Sequence, residues 1–174
     1  MNDIIDTTKS WIEKIVIGLS FCPFAAKPFK DGNIRYKVVH GKSLEQALTS
    51  LAMEMMFLDD NESTETTLII FPDNFSDFNK YLELLDLSEQ LLEKESYEGV
   101  YQIASFHPKY LFAGTKESDP SNYTNRSPYP MLHLLREERL EQAIEKHINA
   151  DLIPEKNIQK ATELGIDYFK NLEF

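Results

Sequence analysis

Cysteine is nearly absent from this chain. Cys22 stands alone among 174 residues, which excludes an intrachain disulfide and fits a reducing compartment. Long apolar stretches are missing too. The run around Ile15 to Leu19 falls well short of the ~20 residues a membrane helix needs. The opening segment, MNDIIDTTKSW, has acids where a secretory signal needs bases, so a cytoplasmic, non-membrane protein is expected. Several chemical signatures are also lacking. Gly114-Thr115-Lys116 has no upstream glycine at the spacing of a phosphate-binding P-loop. No dinucleotide fingerprint is present, which disfavours hydride chemistry, and no Gly-x-Ser-x-Gly elbow occurs.

Base is scarce as well. Eighteen Lys and Arg face 29 Asp and Glu, giving a net charge of −11. A chain this acidic argues against nucleic acid and anionic membranes as partners. The scarcity is uneven, however. Residues 22–42 carry Lys27, Lys30, Arg35, Lys37 and Lys42 against Asp31 alone. Residues 107–136 carry Lys109, Lys116, Arg126 and Arg136 against Glu117 and Asp119. These two mildly basic segments hold Cys22 and three of the four histidines.

The apolar pattern predicts alternating elements. Ile4, Ile5, Thr8, Trp11, Ile12, Ile15, Val16 and Leu19 recur at helical spacing, until Pro23 and Pro28 break the run. IRYKVVH at 34–40 reads as a strand. Ser43-Leu44-Glu45-Gln46 is a capping box that opens a helix through Leu58. TTLIIFP at 66–72 has the fully apolar character of a buried parallel strand. A helix over about 75–96 and a strand at 100–106 follow. Pro130 suits the first turn of a fourth helix reaching His147, and Pro154 starts a fifth. Helices of this length between strands imply crossovers. The expected fold is therefore one α/β domain over residues 1–174. It has a small, mainly parallel sheet of three to four strands, the fourth at 110–116, flanked by about five helices. A ferredoxin-like α/β sandwich is the alternative.

If the strands run parallel, their carboxyl ends share one rim, where ligands bind in such sheets. His40, Asp73 and His107 leave the three strands there. The loop 108–130 that follows is long, and is rich in aromatic, hydroxyl and amide residues, as functional loops are. His107 is the candidate proton-transfer residue, because its ordinary pKa lies near neutrality. His133 is expected beside it. Asn125, Arg126, Ser127 and Tyr129 precede the expected fourth helix, where free backbone N–H groups and a guanidinium suit a carboxylate or phosphate. Arg136 is a further candidate. His133 and Glu137, one helical turn apart, would make a His-His-Glu set with His107. No compact spacing such as His-Glu-x-x-His supports it, so no metal and no cofactor is assigned. Cys22, in Phe21-Cys22-Pro23-Phe24, reads either as a thiolate at a helix start or as a buried hydrophobic cysteine.

Three motifs carry a family resemblance. They are Phe21-Cys22-Pro23-Phe24-Ala25; Gln102-Ile103-Ala104-Ser105-Phe106-His107-Pro108 with Phe112-Ala113-Gly114-Thr115; and Tyr123-Thr124-Asn125-Arg126-Ser127-Pro128-Tyr129-Pro130 with Leu132-His133-Leu134-Leu135-Arg136-Glu137. Together they resemble the bacterial domain of unknown function 1415 family, over nearly the whole chain. The resemblance implies a bacterial cytoplasmic single-domain protein. It supplies neither a reaction nor catalytic residues.

The residues themselves lead to three functional expectations. The first is a small anionic metabolite held by Arg126, Ser127 and Arg136, with group transfer or hydrolysis through His107. The second is a non-catalytic module whose partner surface is the aromatic loop. The third is metal- or thiol-dependent chemistry through Cys22, His107 and His133. Nothing in the sequence fixes the oligomeric state.

Overall fold

Caps and breakers place most elements where the apolar periodicity puts them. The computed structural model describes residues 2–174. Helix α1 (Asn2–Trp11) continues into a π-helical turn over Ile12–Ile17. The Gly18 N–H donates to the Glu13 carbonyl five residues back (2.9 Å). Glycine is required there, since a Cβ would lie 2.5 Å from the Lys14 carbonyl oxygen. Pro28 falls within the short α2 (Ala26–Asp31). Strand β1 (Ile34–Val38) leads to α3 (Leu44–Asp60), which Ser43 and Gln46 close with the reciprocal bonds of a capping box. Every residue of β2 (Thr66–Ile70) is buried. The Asp77 carboxylate caps α4 (Phe78–Lys94), and β3 (Tyr101–Phe106) follows.

Beyond the long loop the structure departs from the expected order. Met131–Arg136 is a strand, β4, and not the start of a fourth helix. Only at Glu137 does the chain become helical, as α5 (Glu137–Glu145). Helices α6 (Ile153–Leu164) and α7 (Ile166–Lys170) complete the described residues, with Gly165 dividing them. No strand forms at 110–116.

The sheet order is β1-β2-β4-β3. Strands β1 and β2 pair in parallel, while β4 runs antiparallel to both β2 and β3. The sheet is therefore mostly antiparallel, which overturns the mainly parallel expectation. The ferredoxin-like alternative fails too, because it needs strands and helices in the order β-α-β-β-α-β, and here the order is β-α-β-α-β-β. One geometric consequence survives. Because β4 reverses direction twice over, β3 still runs the same way as β1 and β2. The carboxyl ends of all three lie on one rim.

Strand β4 belongs in the middle of the sheet because it is apolar on both faces. Leu132 and Leu134 join the core beneath α3 and α4, with Leu51, Met55, Leu84 and Tyr101. Met131 joins a second core beneath α1, α6 and α7, with Trp11, Ile15, Leu68 and Phe169. Tyr81 ties the upper end of the sheet. Its hydroxyl donates to the Met131 carbonyl (2.7 Å) and accepts from the Phe106 N–H (3.1 Å).

Candidate functional site

On the α1 side of the sheet the second core does not fill its space. A cavity of about 210 Å³ lies between the sheet and its cover. Its floor is Leu68 of β2, Ala104 and Phe106 of β3, and His133 and Leu135 of β4. Its walls come from Trp11, from Ile12 and Val16 on the π-turn, and from Cys22, Phe24 and Pro28. Its roof is the inner side of α5, with Arg139, Leu140 and Ala143. The register explains the depth of the hollow. His133 stands between Leu68 and Ala104 in neighbouring strands, and the methyl of Ala104 leaves room beside the ring.

The polar side chains lining this cavity are nearly all engaged elsewhere. The Trp11 Nε1–H donates to the Arg126 carbonyl (2.9 Å), and the Thr66 hydroxyl to the Leu134 carbonyl (2.5 Å). Arg136 donates to the carbonyls of Leu58, Asn61 and Thr64, where it closes the end of α3. Arg139 pairs with Glu65 (2.6 Å) and donates to the Glu62 carbonyl (2.6 Å). His133 is the exception. Its Nε2 is buried and finds no hydrogen-bond partner. Burial lowers its pKa to about 4, so the ring is neutral at physiological pH. Thr67 Oγ1 is the other buried orphan among the described residues, but Thr67 sits on the opposite face, away from this cavity.

Cys22 lines the cavity wall and is half-buried. Burial pushes its thiol pKa up, and the backbone N–H groups of Phe24 and Ala25 pull it only partly back. The thiol is therefore protonated, as a hydrophobic cysteine is.

His40, Asp73 and His107 do share one rim. His40 Nδ1 lies 2.7 Å from the Asp73 carboxylate, in an exposed pair. His107 is fully buried, and both ring nitrogens are occupied. Nε2–H donates to the Phe75 carbonyl (2.8 Å), and Nδ1 accepts from the Lys109 N–H (2.9 Å). Burial holds its pKa below the ordinary value. The ring braces the turn into Pro108.

Asn125, Arg126 and Ser127 precede a strand, so the helix N-terminus expected beside them does not exist. The Asn125 side chain donates to the Ser105 carbonyl (3.1 Å), and the Ser127 hydroxyl to the Tyr129 carbonyl (2.6 Å). Tyr129 packs against the second core. Arg126 stacks on Tyr123 (4.5 Å) and donates to the carbonyls of Tyr110 and Glu117. It borders a second hollow, of about 140 Å³, with Ser127, Tyr123, Pro108, Ile15 and Phe169. His107 lies close by, its N–H bonded to the Asn125 carbonyl (3.2 Å), yet it lines neither hollow.

His133 and Glu137 do not share a helix: one is on β4 and the other begins α5. Among the described residues no three His, Cys, Asp or Glu side chains are placed to hold a metal ion. No described helix is long and apolar enough to cross a membrane. In the first basic segment two of the cations are paired with carboxylates. Arg35 makes a bidentate pair with the buried Glu54 (2.6 and 3.2 Å), and Lys27 pairs with Asp31 (2.9 Å).

Sequence reasoning missed Trp11, Phe24, Arg139, Leu140 and Ala143 as cavity residues. One signal for the site was present. A lone histidine inside the apolar run Met131-Leu132-His133-Leu134-Leu135 marks a polar atom carried into a core.

The family model described as Protein of unknown function (DUF1415) matches residues 3–171. No curated protein and no solved structure matches the chain.

Proposed function

The chain belongs to that family, whose function is unknown, and on its own geometry we propose that it binds a small organic molecule in the cavity beneath α5. One observation carries this reading: an apolar cavity has an unpartnered imidazole on its floor. Buried polar groups are nearly always bonded in native proteins, and leaving one unbonded costs about 1–3 kcal/mol. Nε2 is closed to a water-sized probe, so a ligand in the cavity recovers this where the ring turns to meet it. The π-turn in the wall fits the same reading, since such turns recur at functional sites. So does the cover: no residue of α5 is fully buried, so the roof is weakly held.

The test is a small-molecule thermal-shift screen on the wild type and on Ala143→Phe, which fills the cavity from the roof. Binding raises the melting temperature with ligand concentration. Compounds that stabilise the wild type are expected to lose their effect on the variant. If none stabilises the wild type, or if the hits stabilise both proteins equally, the cavity is not the site.

A second reading keeps an anionic ligand, at Arg126. The guanidinium borders its own hollow, and its Nη1 makes no hydrogen bond among the described residues. Inorganic phosphate or acetate would stabilise the wild type but not Arg126→Ala. Chemistry through His107 has less support, because the ring has no free nitrogen.

A further inference from the structure

Which class of molecule the cavity takes follows from the hydrogen bonds and charges its lining leaves over. We propose that the ligand is an uncharged ring compound of the phenol class, held by apolar contact and by one hydrogen bond from its hydroxyl to His133. This rests on the preceding reading of the cavity as a binding site.

Three observations carry it. The first is the polar inventory. Trp11, Thr66, Arg136 and Arg139 are each bonded to a carbonyl or carboxylate, so their donors are not free for a guest. His133 is left, with Cys22 as a weak second. A neutral imidazole has one donor and one acceptor nitrogen, and a hydroxyl complements either. A carboxylate complements only the donor.

The second observation is charge. Glu65, Arg136 and Arg139 are the charged residues lining the cavity, and Arg139 neutralises Glu65 at 2.6 Å. The Arg136 guanidinium is directed to the end of α3 by its three carbonyl acceptors. An anion would lose part of its hydration here and find no unengaged cation. The neutrality of His133 gives the same result.

The third is size and surface. An enclosed apolar cavity of ~150 Å³ holds benzene; this one, of about 210 Å³ and partly open to solvent, has room for a ring with one or two substituents. Trp11, Phe24 and Phe106 supply aromatic surface on three sides.

The experiment uses phenol, its near-isostere toluene, and the larger, anionic benzoate. Trp11 is the only tryptophan and lines the cavity, so its fluorescence reports occupancy, with thermal shift as a second readout. Wild type is expected to bind phenol about five- to tenfold more tightly than toluene, and benzoate least. His133→Leu is expected to bind phenol and toluene alike, while His133→Gln, which keeps a hydrogen-bonding group, retains a preference for phenol. Circular dichroism checks that the variants fold. If benzoate binds best, or phenol and toluene bind wild type equally, the ligand class is wrong while the cavity still binds. If none of the three binds wild type, the ligand class falls. The cavity reading then stands or falls separately, on the screen against Ala143→Phe.

Discussion

Beneath α3 and α4 the sheet is covered by long, capped helices, and Leu51, Met55, Leu58, Leu84 and Tyr81 are wholly shut from solvent. Beneath α1 and α5 the cover is pieced together from a π-turn, a Cys-Pro turn and a helix with no fully buried residue, and a cavity remains. Among the described residues each face also holds one unpartnered buried polar atom, Thr67 Oγ1 on the first and His133 Nε2 on the second. The difference teaches where to look for function. In a filled core an orphan hydroxyl is a modest stability cost. Beside a cavity, an unpartnered imidazole is where the proposed ligand would bond.

Mutation tests this contrast directly. The largest effect is expected on the filled face, where Leu51→Ala or Leu84→Ala should cost about 2–5 kcal/mol in chemical denaturation. Leu140→Ala in the α5 roof should cost less than about 1 kcal/mol, because the side chain is only half-buried beside space that already exists. Equal costs would erase the distinction between the faces.

Next in size is a pH effect at His133. Its pKa is about 4 in the folded protein and about 6.5 when exposed. Above pH ~6.5 both states are neutral and the residue contributes no pH dependence. As pH falls from there toward about 4, the unfolded chain takes up a proton that the folded one refuses, and stability declines. The loss levels off below about 4, at about 3 kcal/mol. Comparing wild type with His133→Phe across pH 4–7 isolates this from the carboxylates. The variant should be at least as stable at pH 7 and should pull ahead in acid; parallel curves would mean that His133 is protonated in place.

A smaller effect than that at His133 is expected at Tyr81, whose hydroxyl ties the ends of β3 and β4. Tyr81→Phe removes two hydrogen bonds and should cost about 1–2 kcal/mol, with faster amide exchange at Phe106. An unchanged exchange rate there would mean that the hydroxyl does not hold the strand ends.

Five consecutive elements, β1 to β3 with α3 and α4 between them, were legible because each carries its own periodicity and cap. The shared rim was legible too, since strand direction follows from crossover length. Strand β4 was not. Pro130 satisfies the rule for a helix start, and a six-residue segment with four apolar residues fits either state. The deciding fact, an open slot between β2 and β3, is nonlocal. The surroundings of Arg126 and Arg136 were hidden for a related reason. A sequence displays a guanidinium but not the carbonyls of Tyr110, Glu117, Leu58 and Thr64 that tertiary structure brings to it. A cavity leaves still less trace, being a shortfall of volume among segments distant along the chain.

The interposed β4 has a kinetic consequence. Thr66 meets Leu134 across a separation of 68 residues, and only β4 bonds the parallel pair β1-β2 to β3. Closing so wide a loop slows assembly. Since His133 rides on the arriving segment, the hollow comes into being in the same event that finishes the sheet. A nascent or truncated polypeptide ending before Met131 has no pocket to occupy.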